Sequence, residues 1–259
     1  MSTNRLGILL IHGYSSTPDN FRDLIPQVKA LGLPYRSPCL RGHGAKTPEA
    51  LRGVDWKEWL AGGEDALLEL LKEAEKAIVI GHSMGGWIAL NLAVDHREKI
   101  DSIIIAGAST RVVSPLGPGR PLHFLVPLIG KLANKMDWVP VYADTGLAQS
   151  DPSYRWVPMD STIQLFDFMK ATHKRLPEVN IPIQILHSKN DSMNSPEGAK
   201  ILYDSISTPK DQKRLVWFEQ TGHYMFLDCE REEVNKTVVE FVKERIENQS
   251  ILVHMAKQL

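Results

Sequence analysis

Gly81-His82-Ser83-Met84-Gly85 has the spacing G-x-S-x-G. The apolar run Ala77-Ile78-Val79-Ile80 precedes it, and the helix-like run Trp87-Ile88-Ala89-Leu90-Asn91-Leu92-Ala93 follows. Strand, sharp turn, helix is the setting in which this spacing makes a nucleophile elbow, with the serine Oγ lifted clear of a sheet. Strand and helix nearly touch at such a turn, so only small residues fit beside the serine, and Gly81, Gly85 and Gly86 meet that need. The plainer reading, a glycine-rich turn whose serine caps a helix, accounts for less of the flanking pattern.

A serine hydroxyl is a weak nucleophile and needs a base within hydrogen-bond reach. Nine histidines are available, and His223 in Gln220-Thr221-Gly222-His223-Tyr224 follows the strand-like Arg214 to Glu219. That puts it at the carboxyl edge of the same sheet, where ligand sites of open α/β sheets gather. Asp191, after the run Pro182 to His187, reaches that edge too and can hold the imidazole in one tautomer. Asp160, Asp167 and Glu219 are weaker candidates for this role. Acyl transfer also needs donors for a developing oxyanion. The Met84 N–H, next to the serine, supplies one, and the Tyr14 N–H in His12-Gly13-Tyr14 the other. His12 and His82 are read as shaping this backbone, and His43, between two glycines, as a turn residue.

These loops need strands behind them. Short apolar runs at 7–12, 34–37, 77–81, 100–107, 182–187 and 214–219 are bounded by Gly, Pro or Asx, as expected for strands buried on both faces of a parallel sheet. Helical patterns alternate with them: Thr17 to Gly32, Asp55 to about Leu71 with Gly62-Gly63 weakening its middle, the elbow helix to about His96, one opening at Ser195-Pro196-Glu197, and Glu230 to Asn248. Such alternation predicts right-handed crossovers and a doubly wound sheet. Residues 111–177 break the rhythm with eight prolines and many apolar and aromatic side chains. A loop that long is improbable, so a small helical cap is expected there, built mostly around its own small core. The division is 1–110 and 178–259 for the α/β core and 111–177 for the cap. The tail after Ser250 carries no readable pattern.

The 259 residues, 43% hydrophobic and 24% charged, suit one globular domain with an insertion. A net charge of −1 offers no field for nucleic acid or anionic membranes. Cys39 and Cys229 allow at most one bridge and are read as reduced and structural. No His/Cys/Asp/Glu cluster has metal spacing and no G-x-G-x-x-G follows a strand, so neither a metal nor a dinucleotide cofactor is expected. No apolar stretch approaches the roughly 20 residues of a transmembrane helix, and Leu6 to Ile11 is short for a signal sequence. The expectation is a cytoplasmic protein.

His12-Gly13-Tyr14, Arg41-Gly42-His43-Gly44, Gly81 to Gly86, Asn190-Asp191 and Gly222-His223 followed by Asp228 together resemble the α/β-hydrolase superfamily. More narrowly, the chain is similar to small bacterial and archaeal carboxylesterases and monoacylglycerol lipases with a short cap. The resemblance covers most of the chain, although the cap matches only in position. It implies Ser83 as nucleophile, His223 as base, Asp191 as orienting acid, and Tyr14 and Met84 as oxyanion donors. The strand before the oxyanion loop is usually the third of that fold and here begins near residue 7. A trimmed sheet of about six parallel strands is therefore expected. The implied function is a serine carboxylic-ester hydrolase for short- to medium-chain acyl esters, with thioesters possible. A C–C bond hydrolase or lyase on the same fold, or a slow-turnover binding module, stands as the alternative.

Overall fold

The computed structural model describes residues 4–256. Eight strands form in chain order: β1 (Asn4–Ile11), β2 (Tyr35–Arg36), β3 (Ala74–His82), β4 (Ile100–Ala106), β5 (Lys135–Asp137), β6 (Trp156–Pro158), β7 (Ile183–Ser188) and β8 (Lys213–Phe218). Seven α-helices join them: α1 (Ile25–Ala30), α2 (Trp56–Leu70), α3 (Met84–Asp95), α4 (Val126–Leu132), α5 (Met159–Arg175), α6 (Pro196–Ser205) and α7 (Arg231–Ala256). Six strands make one parallel sheet in the order β2-β1-β3-β4-β7-β8. This is the trimmed α/β-hydrolase sheet that the strand count implied. β1 connects to β2 on one side, and β3 then sits on the other. The order reverses between β1 and β3, and a crevice opens there at the carboxyl ends of the strands.

Alternate residues of each central strand serve opposite faces. Val79 joins Leu9, Ile103 and Ile185 in a cluster under α2 and α3. Ile78 and Ile80 join Ile8, Leu10 and Ile104 against Phe21, Val28, Val238 and Phe241 on the other face. Both faces are covered, which is why these strands read as continuous apolar runs. Asp55 starts α2 with a full capping box, its carboxylate taking the Lys57 N–H while Glu58 takes the Asp55 N–H.

Several details depart from the sequence reading. The segment from Thr17 divides into a 3-10 turn, Pro18–Phe21, and a separate α1; Pro26 has no N–H to donate back to the preceding turn, so the helix starts afresh there. The inserted segment holds a two-stranded antiparallel ribbon, β5 with β6, too short to leave a period in the sequence. Its own cluster is small, Val126, Met159 and Phe166. Leu165, Phe168 and Met169 of α5 instead join the main core. There α5 covers the buried α3, with Asn91 Nδ2 donating to Thr172 Oγ1 at 2.8 Å and Arg175 paired to Asp95. The last helix runs past Ser250 to Ala256. Both cysteines are unpaired and exposed, so neither fills the structural position expected of it. No described helix is long and apolar enough to cross a membrane.

Candidate active site

β3 delivers the chain to Ser83 with φ 51° and ψ −114°. A non-glycine residue seldom takes positive φ, and here the surroundings impose it. The Ser83 N–H donates to Ala106 O at 2.8 Å, and Ser83 O accepts from Gly86 at 2.9 Å. A methyl group on Gly81 would stand 2.2 Å from the Gly85 carbonyl oxygen, and one on Gly85 2.0 Å from that of Ile11. The two glycines thus let β3, α3 and the end of β1 pack close enough to force the turn at the serine. Met84 opens α3, so its N–H lies beyond the reach of intrahelical acceptors.

The structure brings His223 and Asp191 together from the loops after β8 and β7. His223 Nδ1 lies 2.8 Å from Asp191 Oδ2, and both side chains are buried. With Nδ1–H donating to the carboxylate, Nε2 is left as the basic nitrogen. Asp191 Oδ1 accepts the N–H groups of Met193 and Asn194, each at 2.9 Å. Burial alone would raise the Asp191 carboxyl; the His223 imidazole, its hydrogen bond, His187 and the Asn194 N–H outweigh that and hold it below the usual aspartate value. Ser83, His223, Tyr14 and Gly13 line one cavity. Among the described residues, the Tyr14 N–H has no protein acceptor.

Buried histidines beside the site, and Asn194, hold this arrangement. His82 Nε2 donates to the His223 carbonyl at 2.9 Å, and burial lowers its pKa to about 3. His12 Nδ1 donates to Gly13 O at 2.8 Å while its Nε2 accepts the Leu40 N–H at 3.1 Å; burial lowers its pKa to about 4. Both are neutral props of the loops beside the serine, as their positions suggested. His43 bonds Arg41 O within its turn. His187 stands behind Asp191, 3.8 Å from its Oδ2, and donates to Asn194 O. Asn194 in turn donates to Gly107 O at 2.6 Å. The signal for His187 and Asn194 was their spacing of four before and three after Asp191, which is too generic to read alone.

The cavity has a volume of about 240 Å³. The inserted segment supplies nearly half of its lining residues, including Leu116, Met136, Trp138, Met159 and Phe166, and no Asp or Glu is among the described residues that line it. Tyr14 anchors the floor, its phenol 2.5 Å from Ser161 Oγ and its ring edge-on to Trp59 and Trp138. The site can therefore hold an uncharged, largely apolar group beside a serine and a buried His–Asp pair. Among the described residues, no group of three or more His, Cys, Asp or Glu is arranged to hold a metal ion.

Comparison with known proteins places these features in context. The family model described as serine aminopeptidase, S33, matches residues 2–230. The chain is 39% identical to a pimeloyl-[acyl-carrier protein] methyl ester esterase of Aromatoleum aromaticum over 87% of this chain and 96% of that protein. It is 26% identical to the thermostable monoacylglycerol lipase of Bacillus sp. strain H-257 over 91% and 90% of the two chains. Among solved structures it superposes on a monoacylglycerol lipase of Paleococcus ferrophilus with TM-score 0.76 at 18% identity, covering 95% of this chain and 97% of that one.

Proposed function

The chain belongs to the serine aminopeptidase S33 family of α/β-hydrolases, and within that family we propose that it is a serine carboxylic-ester hydrolase acting on short- to medium-chain acyl esters. The observation that carries this reading is the 2.8 Å His223–Asp191 bond opening on the same apolar cavity as Ser83. The relatives named as an ester esterase and a monoacylglycerol lipase support the same reaction class.

In this mechanism Ser83 Oγ attacks the ester carbonyl while His223 Nε2 takes its proton. Asp191 stabilises the imidazolium and keeps the ring in place. The N–H groups of Tyr14 and Met84 receive the oxyanion. The C–O bond to the alcohol breaks as His223 returns the proton to the leaving oxygen. Water, deprotonated by His223, then releases the acid and restores Ser83. The inserted segment, residues 111–177, acts as the cap that selects the acyl group. By the scale on which a 150 Å³ cavity takes benzene, this one, at about 240 Å³, suits an acyl group of about ten carbons.

An aminopeptidase must hold a charged α-amino group, a task for carboxylates. No such side chain is among the described residues lining the cavity, and this favours the ester over the peptide within the family. A panel of p-nitrophenyl esters of rising chain length, run beside amino-acid p-nitroanilides, tests the reading. Turnover should peak at or below about ten carbons, with the anilides inert. Cleavage of the anilides with no turnover of any ester would overturn it.

A further inference from the structure

The last loop of the site is tied to the inserted segment by a residue outside the triad. Asp228 is completely buried, and its carboxylate accepts four backbone N–H groups. Oδ2 takes Gly222 at 2.6 Å and Ala143 at 2.7 Å; Oδ1 takes Cys229 at 2.8 Å and Asp144 at 3.1 Å. Gly222 precedes His223, whereas Ala143 and Asp144 belong to the insertion. The two backbones are in contact here, since a methyl group on Gly222 would lie 2.7 Å from Val141 O and 3.1 Å from both Ala143 N and Asp228 Oδ2. Side chains continue the contact: Tyr142 stacks on Tyr224 at 5.1 Å and 5°, and Trp138 Nε1 donates to the Tyr224 phenol oxygen, Oη, at 3.4 Å.

We propose that Asp228 is a positioning residue that clamps the His223 loop to the Val141–Asp144 turn of the insertion, so that the base and the Trp138 wall of the cavity are set as one unit. A carboxylate is suited to this because each oxygen accepts two donors, one from each of the joined segments or their flanks. Four backbone N–H groups converging from two separate stretches would otherwise be left unsatisfied in a buried place. The insertion's first residues are tied to the acid loop as well, through Val113 N–H to Met193 O and Ser195 N–H to Arg111 O, both 2.8 Å. The clamp therefore bears on the base, while a separate pairing bears on Asp191. This inference rests on the reading of His223 as the base.

The test compares wild type, Ser83→Ala, Asp228→Asn and Gly222→Ala with p-nitrophenyl butyrate, together with the downfield proton resonance of the His223–Asp191 hydrogen bond and the thermal unfolding transition. Asp228→Asn keeps the side-chain volume but turns an NH₂ group toward two backbone donors. Gly222→Ala keeps the carboxylate and forces the two segments apart. We expect both to lower kcat by about 10²-fold, the order of loss from a misplacement of roughly 1 Å. KM should stay within about twofold, as for a group whose effect falls on the reacting geometry. The downfield resonance should shift or broaden while unfolding stays cooperative. If Asp228→Asn loses its cooperative transition, Gly222→Ala carries the test through the same readouts. Wild-type kcat and an unmoved resonance in a folded variant, with Ser83→Ala inactive, would overturn the clamp alone. Full activity in Ser83→Ala would overturn the reading of the site on which it rests.

Discussion

Asp191 Oδ2 accepts His223 Nδ1–H at 2.8 Å while Oδ1 of the same carboxylate is fixed by the Met193 and Asn194 N–H groups at 2.9 Å. The acid is thus held by its own loop before it holds the histidine. Asp191→Asn would keep this shape but present an NH₂ group or a neutral oxygen to Nδ1, releasing the tautomer. Ester kcat should fall by about 10³- to 10⁴-fold, the scale set by the same substitution in a serine protease triad. Steady-state kinetics on a purified, folded variant checks this, and a loss of under tenfold would remove Asp191 from the triad.

The oxyanion role we propose for Tyr14 is that of its N–H, whereas its phenol bonds Ser161. Tyr14→Phe should therefore keep kcat within a few-fold, because loss of one true oxyanion donor costs about 10²- to 10³-fold. A drop of that larger size would show that the hydroxyl takes part in the reaction.

Met159 and Phe166 line the cavity from α5. Met159→Ala should move the optimum in the ester panel toward longer acyl chains, at a stability cost of about 2–5 kcal/mol for truncating a buried side chain. An unchanged chain-length profile in a folded variant would show that the acyl group lies elsewhere.

Stability should fall on acidification. His82 and His12 are held by burial to about 3 and about 4, whereas an unfolded imidazole titrates near 6.5. Between those values the unfolded chain binds more protons, so stability declines as pH falls through that window. At pH 5 the loss is about 2 kcal/mol for each histidine. Asp191, whose carboxyl is lowered, adds its own loss only below the usual aspartate range. Urea unfolding at pH 7, 6 and 5 should show the midpoint moving down, with a shallower slope for His82→Gln. A midpoint independent of pH would contradict the buried, neutral state of these residues.

Much of the site was legible because its chemistry is local. The elbow needs glycines on both sides of Ser83, and the residues proposed as the triad sit just past strands whose apolar runs are continuous. What escaped the sequence depends on contacts between distant segments. Asp228 could be noticed after Gly222-His223, but the N–H donors it accepts from the insertion belong to residues 143 and 144. Gly62-Gly63 reads as a weak point in α2, yet a methyl group on Gly63 would stand 2.5 Å from Ile88 Cγ2; the crossing with α3 requires the glycine and outweighs its poor propensity. In α5 the apolar positions serve two clusters, the insertion's and the main core's, and no periodicity separates these.

The central claim, that Ser83 is the nucleophile, is tested most directly by intact-mass analysis after exposure to a fluorophosphonate. Wild type should gain one adduct, mapped to Ser83, with activity lost in proportion, and Ser83→Ala should gain none. An adduct of equal yield on Ser83→Ala would contradict the account.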